Sequence, residues 1–205
     1  MQDVGAIALR SLVGERLWTY CLRAETDVSL HGNAKLAQQV WPLVMFVELG
    51  LRNHLDSALR RCFPGRDEHQ TWLLNPPPAL NSVVHRVEKA KTRLVQRNSK
   101  VTHADLLDQL PFGFWSALLA RRNVNQLWPD LSHAFSHAPS RSWREVGPRV
   151  GRIGRLRNHI AHHVPIDGLE LSSGVADGLT LISYMAPAAV DPVRQIVGLG
   201  WLDES

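Results

Sequence analysis

Arg155-Leu156-Arg157-Asn158-His159-Ile160-Ala161-His162-His163-Val164-Pro165-Ile166 gathers three histidines, two arginines and an asparagine into nine residues. Histidine titrates near neutrality, so such a cluster can take up and release protons at cellular pH. Arginine stays charged, and its planar fork donates two parallel hydrogen bonds to a phosphate. Together these side chains suit chemistry on a phosphodiester: the imidazole moves a proton while the guanidinium holds the phosphate oxygens.

The cluster reads as the end of a helix. Ser142-x-x-Glu145 has the form of a capping box and opens it. Gly147-Pro148 disturbs its first turns, and Pro165 biases Val164 away from helical geometry, so the helix is expected to stop near His163. On this helix Asn158 and His162 share a face, as do His159 and His163. Arg157 and His162 are five residues apart, about 140° around a straight helix. They cannot easily grip one phosphate unless the last turn loosens or two copies of the helix meet across a two-fold axis.

His159 and His163 also have the i, i+4 spacing of zinc ligands. The glutamate of an HExxH helix is replaced here by Ile160, and no acidic third ligand follows closely, so no metal and no cofactor is assigned. A histidine near a helix end also serves as a plain cap. A second polar group, Glu48, Arg52 and Asn53, interrupts the apolar run from Leu43 to Leu55. Either Glu48 and Arg52 form an internal i, i+4 salt bridge, or the three residues support Arg157 and His162 from behind.

The remaining sequence sets the frame. A chain of 205 residues suits one domain with a full core. A 44% hydrophobic and 20% charged composition is that of a globular protein. Cys21 and Cys62 have no CxxC partner, which favours reduced thiols in a cytoplasmic setting. No secretory signal is read at the N-terminus, and the apolar run Val40 to Leu51 is broken by Pro42 and Glu48, so no membrane span is expected. Net charge is +4, but residues 141–163 hold six Arg against the single acid Glu145, whereas residues 166–205 hold six acids and one Arg. Arg149, Arg152 and Arg155 in this stripe are the candidate contacts to a polyanion such as RNA. The competing expectation is that the acidic C-terminal segment packs beside the stripe and neutralises much of it.

The periodicity predicts an all-α chain. A helix is expected over 1–25, then a turn over Asp27–Asn33. A long helix follows over Ala34–Phe63, kinked or restarted at Pro42, and helices are expected near 79–98, 102–110, 111–122 and 142–163. The segment 166–205 adds two more, Leu169–Met185 and Pro192–Trp201, the second capped by Asp191. Motif-bearing core (34–163) and flanking helices are read as one domain.

Leu156-Arg157-Asn158-His159-Ile160-Ala161-His162-His163-Val164-Pro165-Ile166 resembles the LRNRIAHHEPI signature of Abi-like (abortive infection) proteins, which belong to the HEPN superfamily. Glu48-Leu49-Gly50-Leu51-Arg52-Asn53 resembles that family's E-x-x-LRN helix, and Leu110-Pro111-Phe112-Gly113-Phe114-Trp115 its L-x-FGFW segment, in the same order. The resemblance implies a HEPN-like helical bundle and a metal-independent endoribonuclease acting in phage defence or as a toxin. Its R-x4-6-H motif falls on Arg157 and His162, with Asn158 and His163 assisting and Glu48, Arg52 and Asn53 supporting. It also implies a homodimer with both motifs at the interface, and leaves room for an antitoxin or regulator. Val164 departs from the pattern, where a glutamate is usual. The alternative within the family is a non-catalytic module that binds RNA or a partner protein.

Overall fold

The apolar period between Val40 and Leu59 builds one long helix, α1 (Leu30–Cys62), in the computed structural model, which describes residues 10–12, 18–19, 30–66, 70–97 and 101–198. Val40, Leu43, Val47, Leu51, Leu55 and Leu59 are all fully buried, the spacing that turns one stripe of a helix inward. Pro42 lies inside this element, which neither breaks nor begins there. Its ring removes one donor, while the flanking Val40, Leu43 and Val44 are locked in the core, and tertiary packing holds the helix together. The expected turn over Asp27–Asn33 is corrected over 30–33, where α1 has already begun, and its residues 27–29 lie outside the described residues.

After α1 come a 3-10 turn (Pro78–Leu80), α2 (Asn81–Gln96), α3 (His103–Gln109), α4 (Phe112–Leu118) and α5 (Val124–Leu131). Then follow α6 (Trp143–Ala161), α7 (Gly168–Met185) and α8 (Val190–Val197). No strand occurs among the described residues, and the fold is all-α. Nearly all of the expected helix over 1–25, with Cys21, lies outside the described residues. No described helix is long and apolar enough to cross a membrane.

Two helix starts follow the sequence pattern and two depart from it. Thr102 and Asp105 form a reciprocal capping box on α3, and Asp167 caps α7 by accepting from the Glu170 N–H. Ser142 accepts from the Arg144 N–H instead of closing a box, because the Glu145 carboxylate turns to the Ser140 N–H. Asp191 is not the cap of α8, which begins at Val190 directly after a 3-10 turn (Pro187–Ala189).

The core is organised around α7, which packs against both α6 and α1. Two glycines make the approach close. A β-carbon at Gly174 would fall 2.5 Å from a Leu156 methyl of α6, and one at Gly178 would fall 3.0 Å from Leu43 of α1. Tryptophans tie the loops down: Trp143 Nε1 donates to the Leu119 carbonyl at 2.7 Å, Trp128 to Arg141 at 3.0 Å and Trp115 to Leu110 at 3.3 Å.

Asp56 of α1 is the polar centre of the core's other side. Its carboxylate accepts from Trp72 Nε1 at 2.8 Å and Arg60 Nε at 2.9 Å, and lies 2.8 Å from His103 Nε2, whose Nδ1 is 2.8 Å from the Thr71 hydroxyl. This network fastens the 71–75 segment and the start of α3 to α1. Burial pushes the Asp56 carboxyl up, but the hydrogen bonds from His103, Arg60 and Trp72 outweigh it and hold it below the ordinary carboxylate value. His54, two residues earlier, is pushed below the ordinary imidazole value by burial and by nearby Arg61 and His137.

Both shifts have one sign. Asp56 adds stability above the unfolded carboxylate pKa, lost as pH falls through its lower folded value. The fold holds His54 neutral, so below about pH 6.5 the unfolded chain takes the proton more readily. Stability to urea should therefore fall on acidification from neutrality, beginning below about pH 6.5 and falling again below about pH 4. Asp56→Asn should cost about 1–3 kcal/mol at neutral pH by breaking the shared acceptor, and flatten the lower step. Stability unchanged between neutrality and pH 5 would contradict the His54 assignment. Gly174→Val should destabilise by about 1–3 kcal/mol through overpacking against Leu156, read as a lower urea midpoint with an unchanged slope.

Candidate functional site

Helix α6 has two faces with different duties. Val146, Val150, Ile153 and Leu156 are buried against the core. Gly151, Arg155, Asn158 and His162 recur at i, i+4, i+7 and i+11 along the opposite side, and all four are exposed. The helix stops at Ala161, two residues before the expected His163, and His162 is its cap residue.

The stop is a closed hydrogen-bonded turn. Val164 N–H donates to the His159 carbonyl at 2.8 Å and His163 N–H to Ile160 at 3.2 Å, the bond pair of a Schellman motif. His163 occupies the left-handed position, with φ of 55°, where glycine is usual and histidine is tolerated at some strain. Pro165 then prevents the helix from resuming. Ile166 is fully buried, and its N–H donates to Asn33 Oδ1 of α1 at 3.0 Å. The histidine turn is thus fixed at both ends.

The basic stripe divides into committed and uncommitted side chains. Arg152 grips Asp177 of α7 through two hydrogen bonds. Arg149 lies 3.4 Å from the same carboxylate and 5.9 Å from the Tyr184 ring. The bond to Asp177 holds Arg152 still more firmly protonated. Two of the three arginines expected to meet RNA therefore clasp α6 to α7. His159 Nδ1 is 2.9 Å from Glu170 of α7, so its ring is engaged by a carboxylate. The acidic segment does neutralise part of the stripe.

Toward the end of α6 the uncommitted set is Arg155, Arg157, Asn158, His162 and His163, none of which has a side-chain hydrogen-bond or ion-pair partner among the described residues, and the exposed Arg144 in the first turn is likewise unpaired. Arg157 Nε is buried and without a partner. Arg155, Arg157 and Asn158 line a cleft of about 450 Å³ between α4 and α6, within the size range of small-molecule sites. His162 is exposed beyond the lining of this cleft, in keeping with its position around the helix from Arg157.

Glu48 and Arg52 border a second cleft of about 300 Å³, which shares Pro111 with the first. The expected Glu48–Arg52 bridge is replaced. Arg52 reaches across to Asp108 at 2.9 Å and donates to Asn53 Oδ1 at 3.4 Å. These residues bracket the turn leading into α4 and do not touch Arg157 or His162 directly. Among the described residues, no three His, Cys, Asp or Glu side chains converge as a metal site requires. The Cys62 thiol is half-buried, and burial followed by Asp130 pushes its pKa up, away from nucleophilic use.

Comparison with family models, curated proteins and solved structures gives no match to this chain.

Sequence reasoning passed over Asp177, Asn33, Gly151 and Gly154. The glycines left a readable signal, since an interior helix glycine costs about 1 kcal/mol against alanine and asks for a reason. Asn33 and Asp177 left none, because their partners are 133 and 25 residues away.

His163→Gly should stabilise the fold by a few tenths to about 1 kcal/mol by relieving the left-handed strain. Asn33→Ala should cost about 1–3 kcal/mol by leaving the Ile166 N–H buried and unpaired. Denaturant midpoints check both, and a destabilised His163→Gly protein would mean that the imidazole itself braces the turn.

Proposed function

We propose that this chain is a metal-independent endoribonuclease of the HEPN type. In this reading it is an Abi-like protein that works in the cytoplasm, in phage defence or as a toxin, and its active site is completed by a second copy of the chain. The observation that carries the reading is the division of the stripe. Asp177 takes Arg152 through two hydrogen bonds and lies 3.4 Å from Arg149, and Glu170 takes His159, while the free remainder of the stripe includes Arg157 and His162. Those two residues are the ones on which the family resemblance places its motif.

The chemistry follows from the side chains. The RNA 2′-oxygen attacks the adjacent phosphorus and the bond to the 5′-oxygen breaks, leaving a 2′,3′-cyclic phosphate and a 5′-hydroxyl. His162 transfers a proton, from the 2′-hydroxyl as base or to the departing 5′-oxygen as acid, a role worth about 10²–10⁴-fold. Arg157 balances the charge that develops on the phosphorane oxygens. Asn158 orients the phosphate, and His163 assists from the adjoining turn. Arg157 and His162 point about 140° apart around α6, so an arginine of one copy would work with a histidine of the other.

The rival reading is a non-catalytic module that binds RNA or a partner protein. It is favoured by the same separation if the chain remains monomeric.

The test is cleavage of cellular RNA in the presence of EDTA. Wild type should cleave, and Arg157→Ala and His162→Ala should each lose about 10²-fold or more. Mixing the two inactive variants should restore about a quarter of the activity, since half the dimers are mixed and each mixed dimer regains one intact site. Equal background from all three proteins would sink the enzyme. Inactive variants that stay inactive when mixed, although shown to exchange chains, would sink the shared site.

A further inference from the structure

Interior glycines weaken a helix by about 1 kcal/mol each relative to alanine, and α6 contains three of them. Two are explained within the chain. A β-carbon on Gly147 would strike the Trp143 indole, and one on Gly154 would lie 3.0 Å from the Phe112 ring. Gly151 has no such neighbour: nothing lies within 4 Å of the place its β-carbon would occupy. The space it leaves open is the cleft between α4 and α6.

That cleft has mixed chemistry. Its wall is apolar, formed by Pro111, Phe112 and Val150, while its rim has the charged Arg155 and Arg157 and the amide of Asn158. An inorganic anion would satisfy the rim and leave the wall bare. A planar, apolar-faced ring joined to a phosphate would cover both. Seven residues of helix separate Gly151 from Asn158, about 10 Å of groove, and the same stripe ends at His162. Arg155 is exposed and free to stack its guanidinium plane on a base. Asn158 offers one donor group and one acceptor to a base edge, and Arg157 Nε still lacks an acceptor.

We propose that the glycine-floored cleft seats the nucleobase beside the scissile phosphate. Gly151 then admits the base, Arg155 stacks on it, and Asn158 sets the preference for which base is accepted. This inference rests on the ribonuclease reading, and adds to it a base-selective subsite.

The probes are the four 5′-ribonucleoside monophosphates and inorganic phosphate, titrated calorimetrically into the full-length protein, which cannot cleave them. At least one mononucleotide should bind roughly tenfold tighter than phosphate. Gly151→Leu projects a side chain into the cleft from a position where a β-carbon meets nothing within 4 Å, and leucine is the better helix former. It should keep or raise the melting temperature while weakening that mononucleotide roughly tenfold or more, and leave phosphate binding in place. Gly168→Leu, at another glycine with open space around it, should bind as wild type does. RNA cleavage is scored in parallel. Nucleotide binding that depends on Gly151, with no cleavage by wild type, would remove the ribonuclease and keep the subsite. Cleavage by Gly151→Leu with wild-type rate and base preference would remove the subsite and keep the ribonuclease. A mononucleotide no tighter than phosphate overturns the subsite, as does conversion of a wild-type dimer to a monomer by Gly151→Leu, which would mean that a second copy covers the cleft.

Discussion

The close approach of α7 to α6 and α1 sets the positions of everything else. Gly174 and Gly178 leave room for Leu156 and Leu43 to press onto the α7 backbone. With side chains there, the helices would have to separate or shift by a turn. Leu156 immediately precedes Arg157, so the residue that seats α6 in the core also fixes the rotation of the arginine beside it. On a helix, a small rotation of the buried face moves the opposite face by the same angle. The direction in which the Gly151–Arg155–Asn158–His162 stripe points is therefore a consequence of packing on the far side.

The same contact sorts the charges. Helix α7 brings Asp177 and Glu170 against α6, and a largely buried carboxylate is tolerable only when it is paired. Asp177 takes both Arg149 and Arg152. What remains uncommitted does so by position, being too far around the helix or too close to its end to meet an α7 carboxylate. A polyanion approaching the 141–163 stripe thus meets fewer free cations than the stripe contains, because Asp177 and Glu170 claim Arg152, Arg149 and His159. Ionic strength acts mainly on that exposed remainder, since charges in solvent are screened far more than buried pairs.

Local patterns were legible in the sequence, and distant partners were not. The long helix expected over Ala34–Phe63 and the helix end expected near His163 depend on neighbours within a turn or two, and the structure has them at Leu30–Cys62 and Ala161. Arg52 was expected to pair with Glu48 because i+4 is the nearest acid, yet it bridges to Asp108, 56 residues on. Arg149 and Arg152 looked like nucleic-acid contacts because charge alone cannot say which cations a folded acid will claim. Residues 30–33 of the expected turn are helical for the same reason. Gly32 and Asn33 favour turns in isolation, but Asn33 is held in α1 by its bond to the Ile166 N–H.

The end of α6 narrows how Arg157 and His162 can cooperate. Two routes were open from the sequence: an unwound last turn that swings His162 toward Arg157, or a second chain. Unwinding beyond Ala161 would break the bonds from His162, His163 and Val164 back to Asn158, Ile160 and His159. It would also pull on Ile166, whose side chain is buried and whose N–H is held by Asn33. Each lost bond of the exposed turn costs about 0.5–1.5 kcal/mol and a buried, unpaired Ile166 N–H about 1–3 kcal/mol, so the combined cost is large against the marginal stability of a domain this size. The turn is built to hold His162 at the cap. On the proposed ribonuclease reading, an arginine of a second copy would meet His162 there at less cost than Arg157 of its own helix, and Arg157 would in turn serve the histidine of that copy.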